Sequence, residues 1–222
     1  MAQFLSEKNS INVHLSIVKR HIRLTRHIKG AEDLGSAIEP PYTDLVTKSA
    51  SAVTVAEDTE FKRDLASYKN TLLGDRVRDV NDAAKKYDRD HPGLAITTLL
   101  FPEGTSPIIY APIEDAPAVV EKLILKIQNL GEGHPLAEQI APLQTAIDES
   151  KAAIEALHVA IAAQKTADAL TNIAKVNLTR QYEQNIYAAS SKFGKVFANR
   201  LFPPINKTAK NGTTVETDKP AT

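Results

Sequence analysis

Apolar side chains recur at three- and four-residue intervals along most of this chain, the spacing that gathers them on one face of an α-helix. The clearest series is Leu136, Ile140, Leu143, Ile147, Ile154, Leu157 and Ile161. Within it Ile140, Ile147, Ile154 and Ile161 form an unbroken heptad repeat, with Ser150 where an apolar residue is expected. The series then fails, because its continuation falls on Gln164, Asp168, Thr171 and Lys175. It returns in the same phase at Tyr182, Ala189 and Val196, joined by Ile186, Phe193 and Phe197. A helix over 136–201 therefore either runs through or folds back near 164–175. The recovered phase, and the absence of glycine and proline from Leu143 to Phe193, favour continuity. Such a helix would be roughly 90 Å long at 1.5 Å per residue. The expected fold is accordingly all-α: an elongated bundle of four or five helices, with long antiparallel helices and one extended proline-rich crossing segment.

Residues 9–29 segregate their side chains. Ile11, Leu15, Val18 and Ile22 share one side, with Val13, Ile17, Leu24 and Ile28 beside them, while Lys19, Arg20, Arg23, Arg26 and His27 fill the opposite arc. Strict alternation from Ile11 to Ile17 is also a strand pattern, but segregation over the whole stretch predicts a helix, closed by Gly30. Gly35, Pro40 and Pro41 predict a connector. Thr43 with Asp44 then caps a helix reaching Asp90, irregular over 49–55, with Phe61, Leu65, Tyr68 and Leu72 as its clearest apolar stripe. After Gly74 the stripe moves round to Val77, Val80 and Ala84.

His91-Pro92-Gly93 stops that helix. Pro102, Pro107 and Pro112 remove backbone donors and push their predecessors toward extended geometry, so 93–113 reads as the crossing segment. It either lays its apolar side chains on the helices or is an apolar tongue for a membrane or partner. Asp115 caps a helix that buries Val120, Leu123, Ile124, Ile127 and Leu130. The short link to Pro135 predicts an antiparallel hairpin. One helical domain, 1–205, is expected, followed by a disordered polar tail at 206–222. Leu100-Phe101-Pro102 recurs as Leu201-Phe202-Pro203, which a tandem duplication of 1–105 and 106–205 would produce.

Composition narrows the function more than it names it. The chain has 222 residues with 27 Lys+Arg against 27 Asp+Glu, so no global field steers nucleic acid. It has no cysteine, which removes thiolate metal sites and cysteine nucleophiles. No apolar run approaches a membrane span and no signal peptide is evident, so a soluble, cytoplasmic protein is expected. Glu155-x-x-His158 has the spacing of di-iron helical bundles, but no second such pair occurs on a helix. His14 and His21 lie one heptad apart at the edge of the apolar arc, where a structural or partner-contact role is expected. No phosphate-binding, dinucleotide, hydrolase-elbow or zinc-protease motif occurs. No cofactor, metal or small-molecule site is identifiable.

The expected function is thus non-enzymatic: a structural or interaction protein that self-associates or docks another protein through its long helices. The candidate faces are the basic arc (Lys19, Arg20, Arg23, Arg26, His27) and the helix seam (Ile140, Leu143, Ile147, Ile154, Leu157, Ile161, Tyr182, Phe193). A second reading is a membrane-surface protein using 9–29 and 93–113, because a basic arc opposite an apolar one suits an anionic bilayer. A third is a metal-dependent helical enzyme.

Overall fold

The computed structural model describes residues 4–202, and every regular element among them is helical. Four helices exceed a dozen residues: α1 (Ile11–Thr25), α2 (Glu32–Asp90), α5 (Ala116–Gln128) and α6 (Ile140–Phe193). Three are short: α3 (Ile96–Leu100), α4 (Ser106–Ile109) and α7 (Lys195–Leu201), and a 3-10 turn at Pro135–Gln139 leads into α6. The fold is all-α. The tail expected at 206–222 lies outside the described residues.

Four expectations are corrected. The 35–41 connector does not exist, because α2 begins at Glu32 and carries Pro40 and Pro41 inside it, with Thr43 and Asp44 already helical. The prolines deprive the Ser36 and Ala37 carbonyls of their usual donors, and burial of Leu34, Ile38 and Leu45 around them keeps the helix whole. Residues 49–55 are likewise regular helix. The crossing segment is not extended: its apolar residues wind into α3 and α4. Asp88 makes α3 possible at a distance, since its carboxylate accepts from the Ile96 and Thr97 amides at 2.8 and 2.9 Å. Those bonds, the Thr97 amide foremost, hold the Asp88 carboxyl below the usual range. Finally, the last long helix stops at Phe193, where Gly194 takes φ +79° and restarts the chain as α7.

Continuity through 164–175 is as the heptad phase suggests. Thr171 replaces an apolar residue on the seam, yet it is buried and its hydroxyl donates to the Lys48 carbonyl of α2 at 3.2 Å. A polar side chain with a backbone acceptor can occupy a seam position without the cost of an unpaired buried group.

The chain forms two compact units. The terminal unit joins the residues up to Ser49 to those from Leu170 on; the central unit is Ala50–Ala169. In the terminal unit α1 packs Val18 and Ile22 against Leu34 and Ile38 of α2, Leu178, Tyr182 and Ile186 of α6, and Leu201 and Phe202. In the central unit α5 packs Val120, Leu123, Ile124 and Ile127 against Leu73, Val77 and Val80 of α2, Leu143 and Ile147 of α6, and Leu100 and Phe101. Within the central unit α2 and α6 run antiparallel, since Thr59 bonds Ala160 and Lys69 bonds Glu149. So do α5 and α6, through Glu121–Lys151 and Glu114–His158.

Each unit is therefore made of the same parts: a short helix, the start of the long helix that follows it, the end of the other long helix, and a Leu-Phe pair. The buried positions of α1 (His14, Val18, His21, Ile22, Thr25) match five of the six of α5 (Ala116, Val120, Leu123, Ile124, Ile127) at one constant offset, the sixth, Pro117, facing the half-buried Leu15. At the same offset Leu34, Ile38, Pro40, Thr43 and Leu45 face Leu136, Ile140, Pro142, Thr145 and Ile147. Phe101 (φ −125°, ψ 66°) and Phe202 (φ −122°, ψ 75°) end their short helices with nearly the same backbone.

Candidate functional site

The basic arc is presented by a helix whose other side is fixed by polar bonds as well as by packing. Ser10 caps α1, its hydroxyl accepting from the Val13 amide at 3.4 Å. Inside the terminal unit, His21 Nδ1 lies 3.4 Å from the Leu201 carbonyl, and its Nε2 lies 3.1 Å from Asn185 Nδ2. Asn185 donates the same amide nitrogen to the Leu34 carbonyl at 2.7 Å. An amide nitrogen only donates, so His21 Nε2 accepts and Nδ1–H donates to Leu201. Burial holds this imidazole neutral, its pKa lowered to about 4 against the smaller opposing pull of the Leu201 carbonyl. His14 is also buried; Nδ1 sits 3.0 Å from the Ser10 carbonyl and Nε2 3.2 Å from Thr179 Oγ1. Desolvation lowers its pKa too, countered by the Ser10 carbonyl and assisted by Lys175. Both histidines are thus interior groups, not ligands at the rim of an apolar arc.

Held in this way, α1 turns Lys19, Arg20, Arg23, Arg26 and His27 outward, and all five are exposed. Arg26 bonds Glu39 at 2.7 Å. Lys19, Arg20 and Arg23 have no carboxylate within salt-bridge distance among the described residues. The apolar arc that a membrane-surface helix would need is the one occupied by the core, with Val18 and Ile22 buried and Ile11, Leu15, Ile17, Leu24 and Ile28 packed against it.

None of the predicted seam is fully exposed. Leu143, Ile147 and Tyr182 are buried, whereas Ile140, Ile154, Leu157, Ile161 and Phe193 are half-buried. It builds the units instead of forming a free surface.

The apolar stripe foreseen as the core of α2 is not its buried face: Phe61 and Tyr68 are exposed, and Leu65 and Leu72 are half-buried. Phe61 is 61% and Tyr68 57% exposed, while Thr59, Ala66, Leu73, Val77, Val80 and Ala84 are buried. Larger side chains made Phe61, Leu65, Tyr68 and Leu72 the stronger sequence signal, but the two stripes have the same helical spacing. Only the small Thr59 and Ala66 let α6 approach closely here. Between α2 and α6, Ala152, Ala156, Val159 and Ala163 of α6 floor an apolar groove, with Asp58 and Lys62 of α2 opposite. In the terminal unit, α6 separately exposes Leu170, Ile173 and Val176.

Charge is divided between the units in a way the total conceals. Each holds twelve Lys and Arg among its described residues, but the terminal unit has six Asp and Glu and the central unit nineteen, giving net charges of +6 and −7. The sequence hides this because the terminal unit is assembled from both ends of the chain.

No metal-ligating group of three or more His, Asp or Glu side chains occurs among the described residues. His158 is exposed and reaches Glu114 at 3.3 Å. No helix among the described residues is long and apolar enough to cross a membrane. No protein-family model matches the chain, and neither a curated protein nor a solved structure matches it.

Proposed function

We propose that this chain is a non-enzymatic assembly protein of the cytoplasm that self-associates through its long helices. The observation that carries this is the outward pair on α2, where Phe61 and Tyr68 stand more than half exposed one heptad apart, with the half-buried Leu65 and Leu72 between and beyond them. Isolated exposed apolar residues are ordinary; two aromatic rings one heptad apart on one helix face, flanked by half-buried leucines, suit a helix–helix contact. The α2–α6 pair then serves as an antiparallel coiled coil that a second copy completes. A tandem duplication goes with this reading, since the matched burial of α1 and α5, and of Leu45 and Ile147, is what two copies of one helical half would retain.

Light scattering on the eluting protein tests the proposal. Wild type should have a mass above that of one chain. Phe61→Ser with Tyr68→Ser should shift it toward the monomer while helicity by circular dichroism is unchanged. A monomeric wild type across the accessible concentration range would end the proposal.

A further inference from the structure

We propose that the basic face of α1, Lys19, Arg20, Arg23 and Arg26, docks on the acidic and aromatic face of α2, Glu57, Phe61, Asp64 and Tyr68, in a second copy of the chain. The proposal rests on the self-association reading and names the surfaces that meet.

The bland account of the basic arc is a solvated outer face of a bundle helix. Helix α5 occupies the equivalent place in the central unit, burying the same five positions, and it carries no such arc. Where α1 has Lys19, Arg20, Arg23 and Arg26, α5 has Glu121, Lys122, Leu125 and Gln128 at the matched positions, so one cation of the four is kept. The architecture therefore does not need a basic face there. Solubility does not need one either, because the outer side of α5 is exposed with mixed charge and an exposed Leu125.

The complementary face has the same helical rhythm. Glu57, Phe61, Asp64 and Tyr68 follow spacings of four, three and four, and fall within roughly 60° of arc on α2. Lys19, Arg23 and Arg26 follow four and three and fall within a similar arc, flanked by Arg20. All eight side chains are exposed. Arg26 apart, none of these charged groups has an opposite charge within salt-bridge distance among the described residues. The rings add a second attraction, because guanidinium and ammonium groups stack on aromatic faces. Phe61 already accepts one cation, Lys62 Nζ lying 5.3 Å from its ring centre. Arginine with Phe or Tyr at the centre of a contact is the composition of binding hot spots.

The partner is a second copy because the two units carry nearly equal and opposite charge, +6 and −7. A basic surface meant for nucleic acid or an anionic bilayer gains nothing from an acidic counterpart in the same chain, and between copies that counterpart is what supplies steering and register. Every copy offers both faces, so the contact either closes reciprocally or propagates.

A charge-swap experiment tests this by sedimentation or light scattering. One variant carries Lys19→Glu and Arg23→Glu, the other Glu57→Lys and Asp64→Lys. All substitutions are on exposed positions, and circular dichroism checks that both variants remain helical. Each alone should associate at least about tenfold more weakly than wild type. An equimolar mixture should recover wild-type association, because the acidic α1 of one now meets the basic α2 of the other. Raising salt should weaken wild type and the mixture alike. Helical variants that fail to rescue each other would overturn the proposal. So would association lost with Lys19→Glu/Arg23→Glu but untouched by Glu57→Lys/Asp64→Lys, which would set the basic face against a different surface of the second copy. Wild-type association indifferent to both pairs would refute these surfaces while leaving self-association standing.

Discussion

His21 and Asn185 meet at 3.1 Å in the interior of the terminal unit, and the contact fixes the protonation state of the imidazole. Asn185 already gives its amide to the Leu34 carbonyl, so a proton on His21 Nε2 would set two buried donors against each other.

Stability should therefore fall in mild acid. The folded-state pKa of His21 is about 4, below the ordinary 6.5 of the unfolded chain. Above the unfolded value both states are neutral and the full contribution is present. As the pH falls from there toward 4, the unfolded chain takes up a proton that the folded one refuses, and stability is lost. Linkage puts the loss from His21 at about 2 kcal/mol between about pH 7.5 and about pH 5. Urea unfolding across this range should show it. His21→Leu, which installs the residue found at the matched position 123, should flatten the slope, leaving the part due to His14. An unchanged slope would show that His21 is not the titrating group.

Tyr182 is fully buried with its ring edge-on to Phe202 at 5.2 Å, and its hydroxyl has no hydrogen-bond partner among the described residues. Burial pushes its pKa upward. Tyr182→Phe keeps the packing and removes the desolvated hydroxyl, so unfolding free energy should stay level or rise by up to about 1 kcal/mol. Tyr182→Ala should cost about 3–5 kcal/mol. A clear loss in the phenylalanine variant would mean that the hydroxyl is bonded.

The register of α2 is open to a paired measurement. Leu73 is buried at 1% exposure and Phe61 exposed at 61%. Leu73→Ala should cost about 2–5 kcal/mol, and Phe61→Ala should stay within about 0.5 kcal/mol for the isolated chain. Chemical denaturation in dilute solution separates the two; the reverse order would place the Phe61 stripe in the core.

Gly35 lies where the end of α1 meets the start of α2. A Cβ there would stand 2.5 Å from Thr25 Oγ1, which itself donates to the Ile22 carbonyl at 2.9 Å. In an open helix Gly→Ala gains about 1 kcal/mol. Here Gly35→Ala should instead lose about 1–3 kcal/mol, and Thr25→Ala in the same chain should recover most of it. Thermal melts of the two single variants and the double would show whether the effects couple.

Local pattern determined that the long apolar-periodic stretches are helical and where some of them stop. Heptad phase carried α6 through 164–175, and Gly93 marks a break that depends only on the residues at the break, whereas the stop at Gly194 went unread because the apolar series continues across it to Val196 and Phe197. The segregation of α1 was equally legible, because charge and apolarity alternate with the helical period. Tertiary packing decided what local pattern leaves degenerate. Two stripes on α2 share one spacing, and the close approach of α6 chose the one with Thr59 and Ala66, leaving Phe61 and Tyr68 outside. Prolines 40 and 41 oppose a helix locally, and the burial of Leu34, Ile38 and Leu45 outweighs them. The histidines of α1 are buried because Asn185, Thr179 and Leu201 supply their partners from more than 160 residues away. The division of charge is likewise a property of assembly: a balanced composition acquires a basic unit and an acidic one only once the two ends of the chain are packed together.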